Sequence, residues 1–305
     1  MNVIETDGLG KRYGKSWALL DCTLTVPEGT LAALVGPNGS GKSTLMNMAA
    51  GLSVPTAGTL TVLDGQHAGS PVALDEIAFM AQDAPVYKNL SVADMLHLTS
   101  NLNRRFDEHF AKARLADLGI PLKKKSGKLS GGQQSQVALT LALARRPRLL
   151  ILDEPLSALD PIARQDFMAT VMTTMADEGM SVLLSSHALA ELERVADYLI
   201  VLGDGQLRIA GHAEDLVATH RVLTGPVTEA DRCAEQHAVV QDKRAGAQAH
   251  LLVRSARADD PVPPRWEAHP VSLEELTLAY LRGPGSQAQR KSPITDSIEV
   301  TEVAR

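Results

Sequence analysis

The sequence predicts an α/β fold, and three observations lead to this prediction. A phosphate-binding pattern stands between an aliphatic run, Leu31 to Val35, and a helix-compatible run, Thr44 to Ala50. A second aliphatic run, Leu149 to Leu152, has no polar alternation and is typical of a parallel strand buried on both faces. Hydrophobic residues make up 44% of the chain and aromatic residues only 3%, so the core is expected to be mainly aliphatic.

Composition and charge exclude several classes of protein. The 305 residues suffice for one large domain and a small one, or for two of moderate size. A net charge of −6 argues against a general nucleic-acid binder, so no nucleic acid is expected among the partners. No apolar segment is long enough to span a bilayer, and none resembles a signal peptide. Cys22 and Cys233 are far apart in sequence and are expected to be unreactive thiols in a reducing cytosol.

The phosphate-binding pattern fits its template at every fixed position: Gly36, Pro37, Asn38, Gly39, Ser40, Gly41, Lys42 and Ser43. Its glycines let the backbone direct N–H groups at phosphate oxygens, and the helix that follows adds the positive end of its dipole. Lys42 is expected to reach the β- and γ-phosphates, and the Ser43 hydroxyl to bind Mg²⁺. A chance glycine-rich loop is the alternative, which the flanking strand and helix disfavour.

Short strands surround this loop, and two candidate functional residues lie near their ends. Strands are predicted at Asn2 to Thr6, Leu24 to Val26, Gly58 to Leu63 and Ile77 to Met80. Tyr13 could stack on a nucleotide base, although a single tyrosine is more often simply packed. Gln82 follows the last of these strands and could bind Mg²⁺ or orient water through its amide oxygen, or be a surface residue.

From Ser91 the spacing of apolar residues changes to that of helices. A capping-box start at Ser91 predicts one helix, and Phe110 to Leu118 predicts another. Leu129-Ser130-Gly131-Gly132-Gln133 then precedes an apolar helix from about Val137 to Arg145. The serine is a candidate N-cap, and the helix start would be a second anion site. Residues from about 88 to 135 are thus predicted to form a helical insertion.

Acidic residues follow the buried strand at Leu149 to Leu152. Asp153 suits Mg²⁺, directly or through water, and Glu154 suits general-base catalysis on an attacking water. A solvated strand end is the alternative, which is disfavoured because a phosphate loop already requires a metal. A further strand, Ser181 to Ser185, ends just before His187, which could hydrogen-bond a γ-phosphate or be structural.

The C-terminal part differs in style from the rest of the chain. A predicted hairpin, Tyr198 to Ala210, closes a first domain at about residue 217. Residues 218–282 contain short strands and an amphipathic helix, Ser272 to Leu281, and are predicted to form a small α+β appendage. Residues 283–305 are polar and aperiodic and are expected to be a disordered tail.

Taken in order, these motifs resemble those of the nucleotide-binding subunit of an ATP-binding cassette (ABC) transporter, over residues 1 to about 217. The resemblance implies a P-loop NTPase core with an antiparallel β-subdomain and a helical insertion. It implies that Glu154, His187 and Gln82 are catalytic and that Ser43, Gln82 and Asp153 hold Mg²⁺. It implies that ATP is bound by Tyr13, Gly36, Pro37, Asn38, Gly39, Ser40, Gly41, Lys42, Ser43, Thr44, Ser130, Gly131, Gly132 and Gln133.

The resemblance also implies partners. Two nucleotide-binding subunits, identical or different, would form a head-to-tail dimer with each ATP between one phosphate loop and the other chain's signature, Leu129 to Gln133. A separate integral-membrane subunit would carry out transport and hold the chain at the inner face of the cell membrane. In the family a cytoplasmic helix of that subunit enters a groove between the α/β core and the helical insertion, which Gln82 to Tyr87 and the start of the Ser91 helix would wall here. Pro85, Val86 and Tyr87 are expected to expose an apolar patch there.

One residue departs from the family pattern. The signature is usually followed three positions later by arginine, where this chain has Gln136. A cation that could orient the signature helix is therefore expected to be missing.

Several functions compete with the predicted one. Export is the predicted direction, because Val271 to Glu275 resembles the endings of exporter ATPases, and an importer ATPase is the alternative. A soluble ABC protein of translation or DNA maintenance is disfavoured by the single cassette and by the short stretch between Lys42 and Ser130. A kinase or a GTPase would not need the signature, and the chain lacks an N-K-x-D guanine motif.

Overall fold

The computed structural model describes residues 1–82, 86–157, 159–186, 192–255 and 261–282. The predictions for Pro85, for His187 and for the tail at residues 283–305 lie outside the described residues.

A six-stranded sheet forms the centre of the molecule. Its strands are β3 (Leu31–Val35), β6 (Ile77–Met80), β7 (Leu149–Leu152), β8 (Ser181–Ser186), β9 (Tyr198–Gly203) and β10 (Gln206–His212), in the order β10-β9-β3-β8-β7-β6. The neighbouring strands are parallel, except that β10 pairs with β9 in the antiparallel sense. The carboxyl ends of the parallel strands therefore meet at one edge, where ligands bind in such sheets.

Two layers cover the central sheet, as a strand buried on both faces requires. The helices are α1 (Lys42–Ala49), α2 (Pro71–Glu76), α3 (Val92–Leu102), α4 (Glu108–Asp117), α5 (Gly131–Leu143) and α6 (Pro161–Glu178). Leu31, Ala33 and Val35 of β3 belong to a hydrophobic cluster with α5 and α6. Ala32 and Leu34 belong to the opposite cluster, with α1 and an antiparallel sheet. Both faces of β3 are thus packed, which confirms the α/β prediction.

The antiparallel sheet is the β-subdomain that the sequence predicts. It contains β1 (Asn2–Tyr13), β2 (Ser16–Pro27), β4 (Ala57–Val62) and β5 (Gln66–His67), in the order β2-β1-β4-β5. The first two strands are longer than predicted, because they continue through several irregularities in their register beyond Thr6. Such bulges interrupt the alternation of apolar residues from which strands are predicted.

Helices α3, α4 and α5 form the helical insertion around a cluster of their own. Its buried members include Val92 and Leu96 of α3, Leu115 of α4, and Val137 and Leu141 of α5. Helix α5 begins six residues earlier than the predicted Val137, because a capping box stabilises its first turn. Among the described helices, none combines the length and the hydropathy needed to cross a bilayer.

The C-terminal residues form an antiparallel sheet with helices beside it. The elements are α7 (Ala213–Ala218), β11 (His220–Pro226), α8 (Ala230–Gln236), β12 (Ala238–Ala245), β13 (Gln248–Arg254), β14 (Glu267–Pro270) and α9 (Leu273–Arg282), with short 3₁₀ turns at Ser126–Lys128 and Val227–Glu229. The sheet has the order β12-β13-β11-β14. Helix α9 contacts both β9 and β12, and the Leu273 N–H donates to Glu193 Oε1 over 2.9 Å. The C-terminal helix therefore joins the central sheet to the appendage.

Candidate functional site

A cleft of about 440 Å³ opens beside the phosphate-binding loop, which connects β3 to α1. Its lining comes from β1, β2, the loop, α1 and the ends of β6 and β7: Tyr13, Ala18, Asn38, Gly39, Gly41, Lys42, Ser43, Thr44, Gln82 and Glu154. Residues separated by more than 100 positions in sequence thus share one cavity. The cleft lies at the carboxyl edge of the parallel strands, where the topology places ligand sites.

Two glycines of the loop occupy positions that a side chain could not share. A Cβ at Gly36 would lie 2.2 Å from the Leu202 carbonyl oxygen, and one at Gly41 would lie 2.6 Å from that of Ala18. Gly41 also has a φ of +102° and begins helix α1 without a side-chain cap. The first N–H groups of α1 therefore have no capping side chain, which is the geometry of an anion site.

Ser40 also has an unsatisfied donor that a bound phosphate would satisfy. The side chain is 2% exposed, and its hydroxyl has no hydrogen-bond partner among the residues that the structure describes. A buried hydroxyl without a partner costs free energy, which a bound phosphate oxygen could recover. The loop thus fits a polyphosphate by its shape and by its unsatisfied donors.

Lys42 is held inside the loop. The residue is only 5% exposed, and its Nζ donates to the carbonyl oxygens of Gly36 at 2.8 Å and Pro37 at 3.3 Å. The same nitrogen lies 3.7 Å from Oε1 of Glu154. The buried ammonium is therefore compensated by carbonyls and a carboxylate, and it stands where a negatively charged ligand would meet it.

Glu154 has a fixed and unusual backbone conformation. Its φ is +47°, a left-handed value that few residues other than glycine adopt. The Glu154 N–H donates to Ser185 Oγ over 2.8 Å, and the Glu154 carbonyl accepts from the N–H and the hydroxyl of Ser157. These contacts aim the side chain into the cleft from the end of β7.

Ser185 is a residue whose role the sequence did not reveal. Besides accepting from Glu154, its hydroxyl donates to Asp153 Oδ1 over 2.7 Å, and the residue is fully buried. One hydroxyl therefore positions both acidic residues. The available signal was a pair of serines, Ser185 and Ser186, closing an otherwise aliphatic strand.

The predicted metal ligands supply oxygen atoms of the kind that Mg²⁺ prefers. Ser43 and Gln82 line the cleft, and the Gln82 side-chain nitrogen donates to Glu154 Oε2 over 3.3 Å. Asp153 is 4% exposed at the end of β7, next to Glu154, and its Oδ1 accepts a hydrogen bond from Ser185 Oγ. Among the described residues there is no cluster of three His, Cys, Asp or Glu residues that would hold a metal alone.

The signature residues lie elsewhere on the chain. Ser130, Gly131, Gly132 and Gln133 form the start of α5, and none of them lines the cleft. The Gln133 N–H donates to Ser130 Oγ over 3.2 Å, and the Ser130 N–H donates to Gln133 Oε1 over 3.3 Å. The structure thus brings Tyr13, the loop, Gln82 and Glu154 together and leaves the signature apart.

Comparison with known sequences places this architecture among characterised proteins. Residues 19–157 match the family described as ABC transporter. The thiamine import ATP-binding protein ThiQ of Shigella flexneri serotype 5b (strain 8401) is 35% identical over 201 residues, which cover 64% of this chain and 87% of that protein. ThiQ of Escherichia coli O6:K15:H31 (strain 536 / UPEC) is 34% identical with the same coverage.

Solved structures agree. An ATP-binding subunit of an ABC transporter is 27% identical, with a TM-score of 0.64 over 70% of this chain and 91% of that one. The dimeric structure of a bacterial ABC transporter cassette is 26% identical, with a TM-score of 0.62 over 68% of this chain and 98% of that one.

Proposed function

Because the chain belongs to the ABC transporter family and is an ATP-hydrolysing subunit, we propose that its cleft binds MgATP and that Glu154 is the general base. The observation that carries this proposal is the meeting of Lys42, Glu154 and Gln82 in one cavity beside the uncapped start of α1. A phosphate-binding cation, a carboxylate and an amide then face the same small volume. Hydrolysis of a terminal phosphate needs this combination.

In the proposed mechanism the residues have separate tasks. The loop N–H groups and Lys42 bind the phosphates, and Tyr13, which is 54% exposed at the side of the cleft, stacks on the adenine. Glu154 accepts a proton from the attacking water, and Gln82 orients that water. Ser43, Gln82 and Asp153 would hold Mg²⁺, which neutralises phosphate charge when bound. The proposed role of His187 is contact with the γ-phosphate.

A second copy of the cassette, or a related subunit, completes the site in this proposal. The exposed start of α5 would contact the ATP held by the other chain, since it does not line the cleft of its own. Two helix N-termini would then face one polyphosphate from opposite sides. The related bacterial cassette that was solved as a dimer supports this part of the proposal.

The membrane subunit is proposed to dock at a groove between β6, α3 and α5. A cavity of about 170 Å³ lies there, and Val86, Met95 and Ala138 are among its lining residues. Val86 is buried, contrary to the expected exposed patch, whereas Tyr87 beside it is 64% exposed. The prediction for an exposed Val86 is wrong because this side chain packs into the cluster of the helical insertion. Tyr87 thus offers an aromatic anchor at the rim of the groove.

The docking surface is tested by Tyr87→Asp. The substitution places a charge where an aromatic ring would be desolvated, so recovery of the membrane subunit in a detergent pull-down should fall by about tenfold or more. Val262→Asp is the matched control, because Val262 is partly exposed in the C-terminal appendage, far from the groove in sequence. Undiminished recovery with Tyr87→Asp would reject the groove as the docking site.

The sequence predicts export, but the curated relatives do not support this direction of transport. The curated relatives are named for thiamine import and give no support to the predicted export. The segment Val271 to Glu275, on which the prediction of export rests, leads into α9, which begins at Leu273. Inside-out vesicles that contain the complete transporter decide between the two. ATP-dependent accumulation of cargo inside such vesicles indicates export, whereas ATP-dependent release indicates import.

A further inference from the structure

Gln136 stands where the family pattern has an arginine, yet it is bonded to a cation. It lies one turn into α5, three residues after the signature, and is 7% exposed. Nη2 of Arg114, on helix α4, donates to Gln136 Oε1 over 2.7 Å. The expectation that a cation is missing at this point of α5 is therefore wrong for this chain, because the Arg114 guanidinium reaches α5 from α4.

The contact has a second point of attachment on the same helix. Arg114 Nε donates to Thr140 Oγ1 over 3.2 Å, and Thr140 Oγ1 donates to the Gln136 carbonyl oxygen over 2.7 Å. Gln136 and Thr140 are four residues apart and so lie on one face of α5. A planar guanidinium that is bonded at two successive turns restrains rotation of a helix about its axis better than a single bond would.

The hydrogen bonds between Arg114 and α5 lie in a buried environment, which strengthens them. Thr140 is fully buried, and Ala111 and Leu115 of α4 pack against Val137 and Leu141 of α5 beside it. Burial lowers the pKa of Arg114 below its ordinary value, but an arginine remains charged at neutral pH. A hydrogen bond between a charged donor and a buried amide is among the stronger contacts between side chains.

We propose that Arg114 is the positioning residue of the signature helix, supplying from α4 the cation that the family pattern places on α5 itself. Arg114 fixes the direction of the first turn of α5, and with it the N–H groups of Ser130 to Gln133. The inference rests on the proposed function, in which this turn contacts the ATP of a second chain. Arg114 is not among the residues that line the cleft.

The test compares Arg114→Gln, Gln136→Arg and the double variant that carries both changes. The first readout is hydrogen exchange at the amides of residues 131–136 in the isolated chain. Arg114→Gln should speed exchange there by about tenfold, and Gln136→Arg should also loosen the turn because it places two guanidinium groups together. The double variant restores one cation facing one amide and should return exchange close to the original rate.

The second readout is ATP-driven dimerisation, measured by sedimentation in a Glu154→Gln background. Arg114→Gln should weaken the dimer by about tenfold, the double variant should restore it, and ATP affinity of the monomer should stay unchanged. Lys112→Gln is the matched control, since Lys112 lies on the same helix but pairs with Glu108 at the surface over 2.8 Å. It should change neither readout.

Two results would overturn the inference. One is exchange at residues 131–136 that does not respond to Arg114→Gln. The other is a loss of monomer ATP affinity that the double variant fails to restore, which would assign Arg114 to folding alone. A background variant that does not dimerise with ATP would instead contradict the proposed function, and the exchange readout would still decide the role of Arg114.

Discussion

The starts of α1 and α5 are both glycine-containing helix N-termini, but their first turns are satisfied in opposite ways. Helix α1 has Gly41 as its N-cap and no capping side chain, and it follows the buried strand β3. Helix α5 begins at Ser130 with a complete capping box, on the exposed side of the helical insertion. The N–H groups at the start of α1 are thus free of a side-chain cap and can bind an anion without losing one. The signature is stable without a bound anion.

The difference bears on how a dimer would depend on nucleotide. A phosphate at α5 would compete with Ser130 Oγ for the Gln133 N–H, so part of its gain offsets a bond already made. A phosphate at α1 replaces no side-chain cap. We therefore expect the phosphate loop to set ATP affinity and the signature to contribute a smaller amount that appears only in the dimer.

The largest expected effect concerns catalysis on the phosphate-loop side. Glu154→Gln keeps the shape of the side chain but removes its basic carboxylate, so phosphate release should slow by roughly 10²–10⁴-fold. ATP should still bind, as measured by calorimetry, and should now hold the dimer together. Hydrolysis at close to the original rate would show that the base lies elsewhere.

Lys42→Ala should have the next largest effect, on affinity. The loss of a charge-assisted bond to phosphate is expected to weaken ATP binding by about 10- to 100-fold in calorimetry. Lys15→Ala, at an exposed position between β1 and β2, is the matched control and should bind ATP normally. Equal affinities for the two variants would remove Lys42 from the phosphate site.

Ser185→Ala should slow hydrolysis by about 5- to 30-fold and leave ATP affinity nearly unchanged. The variant leaves the Glu154 N–H without its acceptor and Asp153 without its donor, which loosens the base rather than the phosphate loop. Steady-state kinetics distinguish a loosened base, which lowers kcat, from a loosened phosphate loop, which raises KM. A raised KM with an unchanged kcat would be the opposite of the expected result.

The smallest effect is expected for Ser130→Ala. The variant frees the Gln133 N–H for phosphate, but it also removes the cap that orders the first turn of α5. We expect the second effect to be larger, so that ATP-driven dimerisation weakens by about two- to fivefold while monomer affinity stays unchanged. Ser130→Thr retains the hydroxyl and should behave like the original chain. An effect on monomer affinity as large as that of Lys42→Ala would erase the distinction between the two helix starts.

The local sequence pattern was sufficient to predict the elements whose structure depends on neighbouring residues in the chain. Ile77 to Met80 and Leu149 to Leu152 were predicted with their observed bounds, because buried parallel strands are continuous apolar runs. The phosphate loop was recognised because its glycines have a backbone function. In contrast, α2 and β14 are too short to show a period, and both went unpredicted.

Contacts between distant segments could not be predicted in the same way. Ser185 is 31 residues from Glu154 and Arg114 is 22 from Gln136, so their pairing depends on how strands and helices assemble. A single sequence gives no sign that a cation lost from one helix is supplied by another. The sequence shows that Gln136 replaces the usual arginine, but it does not show that Arg114 supplies a guanidinium at the same place.

Helix α9 has a consequence for how this protein could be recombined with its relatives. Leu276 and Ala279 belong to the same hydrophobic cluster as Leu199 and Val201 of the central sheet, and Glu193 caps the first turn of the helix. The appendage has a hydrophobic cluster of its own around Leu251 and Trp266, but the cluster of the central sheet also crosses the division near residue 217 through α9. A chimera that grafts this appendage onto another cassette would have to match the buried side chains of α9, since a compatible linker alone would leave two mismatched halves of one core.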